Sequence, residues 1–206
     1  MEKPYKTILE PAEEEFVEKK SRFIAYTSPV HTVEEANAFI AGIRQRHWDA
    51  THNVPAFVLR SGVQRSSDDG EPGGTAGMPV LDVLLKSGVQ DVCVVVTRYF
   101  GGILLGAGGL VRAYSHACSL ALEAAGVVTM APCAAMELTV DYSYYERVNN
   151  LLADHGARVQ NADFGAAVTL AYTMEETQLP AFAEALTELS GGKYAPTQTG
   201  SLFAPV

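Results

Sequence analysis

Between Ser66 and Arg112 two glycine-rich loops bracket a short apolar run, and this alternation leaves few ways for the surrounding chain to fold. The first loop reads Ser66-Ser67-Asp68-Asp69-Gly70-Glu71-Pro72-Gly73-Gly74-Thr75-Ala76-Gly77. The second reads Thr97-Arg98-Tyr99-Phe100-Gly101-Gly102-Ile103-Leu104-Leu105-Gly106-Ala107-Gly108-Gly109-Leu110. The run between them, Val92-Cys93-Val94-Val95-Val96, is β-branched and continuously apolar, which predicts a strand covered on both faces. Leu110 to Ala125 is rich in Ala and Leu and holds neither Pro nor Gly, which predicts a helix closed by Gly126.

The second loop is thus strand, glycine turn, helix. Glycine permits positive φ and close approach of a partner, and a helix start presents unpaired N–H groups at the positive end of a dipole. With Arg98 at the strand's end, the segment through Tyr99, Phe100, Gly101, Gly102, Gly106 and Gly109 is a candidate anion cradle. The alternative is a tight turn packed against a neighbouring element. Arg112 is expected in the first helical turn, where a cation opposes the dipole, and that misfit favours a binding role at the same anion as Arg98. No Gly-Lys-Ser/Thr follows, and no acidic residue stands where a dinucleotide fingerprint places one.

The first loop sets Asp68, Asp69 and Glu71 within four residues, among Gly70, Gly74, Thr75 and Gly77. Clustered carboxylates repel unless a cation, an arginine or backbone N–H groups offset them. A Mg²⁺ or Ca²⁺ site is one solution; side chains that cap turns and the following helix are the other. The spacing does not match a calcium loop, so capping is favoured and neither a metal nor a cofactor is expected.

Around this centre the pattern continues. Glu13 to Lys19 and Arg22 to Thr27 predict a hairpin, after a short lead-in strand at 5–9. Thr32 with Glu35 is a capping box opening a helix over 33–46. Trp48 is expected to pack against that helix's end. Asn53 to Arg60 predicts a strand preceded by His52, a candidate site residue. Met78 to Ser87 predicts a short helix with Pro79 in its first turn. Residues 128–132 read as a linker. Beyond it strand, helix, hairpin, helix and strand follow in the βαββαβ order of a ferredoxin-like unit. The fold class is therefore α+β, with domains at 1–131 and 132–206.

Three stretches carry a family resemblance: Lys20-Ser21-Arg22-Phe23-Ile24-Ala25, the first loop through Gly77, and Thr97 through Tyr114. They closely resemble the IMPACT family, in its bacterial YigZ-type branch, over the first two thirds of the chain. Ala50-Thr51-His52-Asn53 also fits the family's pattern. The resemblance implies an N-terminal domain like domain two of small-subunit ribosomal protein five. It implies a ferredoxin-like C-terminal domain similar to the last domain of elongation factor G. It also makes Arg22 a candidate ligand contact. Eukaryotic members restrain a stress response that runs through a kinase of a translation initiation factor. That role belongs to a partner-binding domain with no counterpart in this sequence, and is not carried over. One departure is Gly73-Gly74, where members often place Ser or Ala before the glycine.

The functional expectation is a non-catalytic regulatory or binding protein, nucleic-acid or ribosome associated and linked to translation regulation. Structured RNA or the ribosome is the expected partner, a protein the second partner class. The net charge of −9 excludes a broad basic surface of the kind duplex-DNA binders use. The charge is uneven: residues 1–130 hold 12 Lys and Arg against 15 Asp and Glu, residues 131–206 hold 3 against 9. An anionic partner is therefore expected on the N-terminal part. The alternative is a nucleotide- or phosphate-ligand-binding enzyme using the glycine loops. No nucleophile elbow, His-Glu-x-x-His or Cys with an evident base supports catalysis. Three Cys without metal spacing fit reduced thiols in a cytoplasmic protein. Neither a signal peptide nor a membrane span is expected.

Overall fold

The apolar run at the centre of the sequence lies at the centre of a sheet. The computed structural model describes residues 3–206. It divides them into Tyr5–Val128 and a second unit, Thr129–Val206 with Lys3 and Pro4. The first unit contains β1 (Tyr5–Ile8), β2 (Ala12–Glu18), β3 (Ser21–Pro29), α1 (Val33–Arg46), β4 (His52–Val58), β5 (Gln64–Ser66), α2 (Gly77–Ser87), β6 (Val92–Tyr99) and α3 (Ala107–Ala125). Five of these strands form an antiparallel sheet in the order β2-β3-β6-β4-β5.

The uniform apolarity of β6 has a direct cause. Val92, Val94 and Val96 face one way, into a core built with Val80 and Leu84 of α2 and Leu110, Tyr114 and Cys118 of α3. Cys93 and Val95 face the other way, against Ala36, Ile40 and Ile43 of α1. Helices cover both faces, so neither set of alternate side chains meets water.

Local chemistry sets the element ends. Thr32 accepts the N–H of Glu35 at 3.1 Å, and Glu35 in turn accepts the N–H of His31 at 2.7 Å, which fixes the start of α1. The long helix α3 begins at Ala107, three residues before the expected Leu110, because small residues at Gly108 and Gly109 let its first turn close against Leu105. Thr97, Arg98 and Tyr99 are strand, not loop. Trp48, expected to pack against the end of α1, is instead 82% exposed.

The second unit has β7 (Val127–Val140), α4 (Tyr142–Asp154), β8 (Arg158–Phe164), β9 (Val168–Glu175), α5 (Leu179–Ser190) and β10 (Thr197–Pro205). Its strands run β10-β7-β9-β8, all antiparallel, the order of the ferredoxin-like split unit. Val148, Leu152, Phe182 and Leu186 of its helices close the core over that sheet. The stretch 128–132, expected as a linker, is strand: Pro132 pairs with Phe203 of β10, outside the part of β7 that β9 covers. There its missing N–H leaves the β9 ladder intact. No helix among the described residues is long and apolar enough to cross a membrane.

Candidate functional site

The three carboxylates of the first loop go to three different places. Asp68 turns toward the start of α2, where Oδ1 accepts the N–H groups of Ala76 and Gly77 at 3.1 and 2.8 Å and Oδ2 accepts that of Gly74 at 2.8 Å. Burial raises its pKa, but these three donors outweigh burial and hold the carboxyl below its ordinary value. Asp69 latches the loop to the sheet: Oδ2 accepts the N–H of Asn53 at 2.7 Å and Oδ1 pairs with Arg44 at 2.7 Å. Both act as structural fasteners. Gly77 is required at this fold of the loop, since a Cβ there would lie 2.6 Å from the Ser67 carbonyl. Thr75 closes the turn by donating to Pro72 O at 2.6 Å.

Only Glu71 enters the core, and it meets Arg98 there. Arg98 Nη1 donates to Glu71 Oε1 at 2.6 Å, and Tyr114 Oη donates to the same oxygen at 2.7 Å. The side chains of Glu71 and Arg98 are 3% and 6% exposed. Burial, then the contact with Glu71, drives the Tyr114 pKa far above its usual value, so the hydroxyl stays a donor. Arg98 Nη2 reaches Ser21 Oγ at 3.3 Å, while its buried Nε has no partner. The guanidinium lies between the rings of Phe23 and Phe100, each centroid 5.4 Å away, which offsets part of that deficit.

His52 completes the group. Its Nδ1 lies 2.8 Å from Asp69 O, a carbonyl that can only accept, so Nδ1 carries the proton. Its Nε2 faces Glu71 Oε2 at 3.7 Å, too long for a hydrogen bond. Glu71, Arg98 and His52 line one cavity of about 370 Å³, walled by Pro72, Phe100, Leu104, Leu105 and Leu110, with Gly70, Gly106 and Ala107 at its edge.

Two predicted arginines lie elsewhere. Arg22 and Arg98 come from neighbouring strands but opposite faces: Arg22 sits opposite Tyr99 on the α1 side, with its guanidinium 5.5 Å from that ring, and is held by Glu15 at 2.8 and 2.9 Å. Tyr99 itself points to His47 at 2.9 Å, away from the cavity. Arg112 does not reach the Arg98 cavity. With Lys19, His116, Phe16 and Gly109 it lines a second one of about 240 Å³, on the other side of Leu105. Expecting both arginines at one anion overlooked the helical turn between Gly106 and Arg112, which swings Arg112 around α3.

Gly102, at φ 81°, has open space around it, whereas Gly101 acts through the β2–β3 hairpin. Lys19 and Lys20 form its two-residue turn, both at positive φ, 46° and 65°. A Cβ on Gly101 would come within 2.0 Å of the Lys20 carbonyl carbon, so only glycine lets loop and turn meet. Ser21 Oγ fastens them by accepting the Gly101 N–H at 3.2 Å. Ser21, Thr51 and Tyr114 were not singled out from the sequence. Tyr114 stood inside the motif that ends at the first turns of α3, and its position four residues past Leu110 marked it as core-facing.

Among the described residues no group of three or more His, Cys, Asp or Glu is placed to hold a metal ion.

A two-domain protein with an α+β N-terminal unit, a buried Glu–Arg–Tyr cluster under a glycine loop and a ferredoxin-like second unit is the class that fold and site define. Residues 19–122 match the Impact N-terminal domain and residues 138–193 match a domain of unknown function, DUF1949. The chain is 44% identical to the IMPACT family member YvyE of Bacillus subtilis, over 92% of this chain and 88% of that protein. It is 37% identical to the IMPACT family member YigZ of Escherichia coli, over 84% and 87%. A crystal structure of a hypothetical protein, 33% identical, superposes with a TM-score of 0.61 over 97% of this chain and 99% of that one. The chain belongs to the IMPACT family.

Proposed function

We propose that this protein is a non-catalytic RNA-binding regulator associated with the ribosome, and that it meets phosphates at Lys19, Lys20, Arg112 and His116. The observation that carries this reading is the distribution of paired and unpaired cations. Arg22, Arg44, Arg46 and Arg98 are each neutralised by a carboxylate of the same unit. Lys19, Lys20 and Arg112 have no carboxylate partner among the described residues, and Lys19, Arg112 and His116 share a cavity against a single acid, Glu18. In a chain of net charge −9 an unpaired basic group of this kind is the place where an anionic polymer gains most. The hairpin turn supports the same reading. It sets Lys19 and Lys20 side by side at its tip, both at positive φ as a two-residue turn requires. The translation link follows the family resemblance, and a cytoplasmic location follows the reading of the three free cysteines as reduced thiols.

The test is retention on ribosomes and on structured RNA across a salt series, for the unchanged protein and for Lys19→Ala/Lys20→Ala/Arg112→Ala. The expected result is salt-sensitive binding whose slope falls by about one for each phosphate contact removed. The reading is overturned if the unchanged protein fails to bind at low salt, or if the triple variant binds with the same slope.

A further inference from the structure

The cavity over Glu71 and His52 has a chemistry of its own. Glu71 Oε1 is satisfied by Arg98 and Tyr114, but Oε2 has no hydrogen bond although the side chain is 3% exposed and lines the cavity. Oε2 opens into the cavity, where a donor brought by a ligand or by water reaches it. His52 commits its Nδ1–H to Asp69 O, so in its neutral form Nε2 offers only a lone pair, 3.7 Å from that same oxygen. The polar end of the cavity therefore presents two acceptors side by side, while the unpartnered Arg98 Nε–H is fully buried.

The ligand that fits must bring two adjacent N–H donors. It need not bring charge, because Arg98 already neutralises Glu71; an ammonium group would lose its hydration without gaining a net counter-charge. Phe100, Leu104, Leu105 and Leu110 give the cavity apolar walls that suit a flat ring. A volume of about 370 Å³ lies within the roughly 300–1,000 Å³ range of small-ligand sites. At the rim, α3 starts without a capping side chain. Its first internal bond is Leu110 N to Gly106 O, so the N–H groups of Ala107, Gly108 and Gly109 have no acceptor. That rim favours a phosphate.

We propose that this cavity binds a guanine nucleotide, its N1–H and N2–H₂ edge on Glu71 and His52, its ring against Phe100 and its phosphate toward the start of α3. Adenine and uracil present alternating donors and acceptors on that edge, and cytosine presents one donor, so two adjacent acceptors select guanine. The guanine comes either as a free nucleotide or as one residue of a single-stranded RNA. In the second case the inference rests on the RNA reading above; in the first it does not.

The experiment is calorimetric titration of the full chain with GMP, IMP and AMP, beside two short RNA strands that differ only in one guanine replaced by adenine. GMP should bind with AMP undetected, and IMP, which lacks the N2 amino group, should bind on the order of 10-fold more weakly. Glu71→Gln keeps an oxygen for Arg98 and Tyr114 but turns a donor toward the cavity, so it should abolish the guanine preference. Phe100 is 45% exposed, so Phe100→Ala folds without difficulty; it should weaken GMP roughly 5- to 100-fold by loss of stacking. Guanine-selective GMP binding without binding of either short strand supports the pocket as a free-nucleotide site and leaves the ribosome reading to its own salt series. A preference for the guanine strand, lost in Glu71→Gln, without measurable GMP binding assigns the site to RNA. Equal binding of guanine and adenine in both arms overturns the pocket, whatever the protein does with ribosomes.

Discussion

Tyr114 donates its hydroxyl to Glu71 Oε1 at 2.7 Å, joining the middle of α3 to a loop 43 residues earlier in the chain. Arg98 Nη1 reaches the same oxygen at 2.6 Å. One buried oxygen thus ties together the first glycine loop, the end of β6 and the long helix. The cost of disturbing it depends on which partner is removed. Arg98→Met leaves an uncompensated carboxylate in the core and should destabilise the protein by about 3–5 kcal/mol. Glu71→Leu/Arg98→Met removes both charges and should cost less than Arg98→Met alone. Tyr114→Phe removes one donor from a charged acceptor and should cost about 1.5–3 kcal/mol. Urea unfolding of the three variants checks this; a double variant worse than Arg98→Met would show that the charges themselves stabilise the fold.

Much of this arrangement was legible in the sequence, for physical reasons that stop at identifiable places. Local signals placed α1 and β6 well, because Thr32–Glu35 capping and an unbroken β-branched run depend on neighbours in the chain. The hairpin at Lys19 and Lys20 was expected from the charged turn between a mixed strand and an apolar one, and capping was the favoured reading of the three carboxylates. Periodicity could not show which face each arginine takes. Arg22 and Arg98 differ by one pleat because of pairing register, and Arg112 turns away with the helix. Nor could spacing reveal that Glu71 neutralises Arg98, since that contact spans 27 residues.

Asp68 acts on α2 as a charged cap from outside the helix, with three backbone N–H groups on its two oxygens. Asp68→Ala should cost about 2 kcal/mol, at the upper end for a lost cap because the acceptor is ionised. The sign of its pH dependence follows from the lowered pKa. The unfolded carboxyl takes up a proton first as pH falls, so this stability is present above the unfolded value of 3.8 and is lost below it. Acid titrations of Asp68→Ala and of the unchanged protein should therefore converge. A gap that stays constant down to about pH 2 would assign the loss to packing instead.

His47 should make the protein less stable in mildly acidic solution. It sits between Tyr26 at 2.7 Å and Tyr99 at 2.9 Å, and burial, then the charge of Arg46, pushes its pKa below 6.5. The unfolded chain therefore binds the proton more readily, and stability falls as pH drops through 6.5 toward the native value. Melting temperature should drop between about pH 7.5 and about pH 5.5, and His47→Gln should flatten that drop while lowering the plateau. An undiminished drop in His47→Gln would place the titration on another group.

The glycines of the two loops should differ sharply in what they tolerate, and the difference separates those that the fold needs from those that it merely contains. A Cβ on Gly101 would stand 2.0 Å from Lys20 C, and one on Gly77 2.6 Å from Ser67 O; in both cases the obstacle is backbone. Neither neighbour can yield as a side chain does, so Gly101→Ala and Gly77→Ala should each cost more than about 3 kcal/mol or shift the hairpin away from the loop. Gly73 is different. Nothing lies within 4 Å of its Cβ position and its φ is not positive. Gly73→Ala should leave the fold intact and raise stability by about 0.4–1 kcal/mol, because it restricts the unfolded chain without straining the folded one. The glycine at 73 is then tolerated and not a functional demand. Thermal unfolding of the three alanine variants decides the matter. Destabilisation by Gly73→Ala would mean that this loop needs a freedom its resting geometry does not display, and would direct attention to a change of shape when a ligand binds.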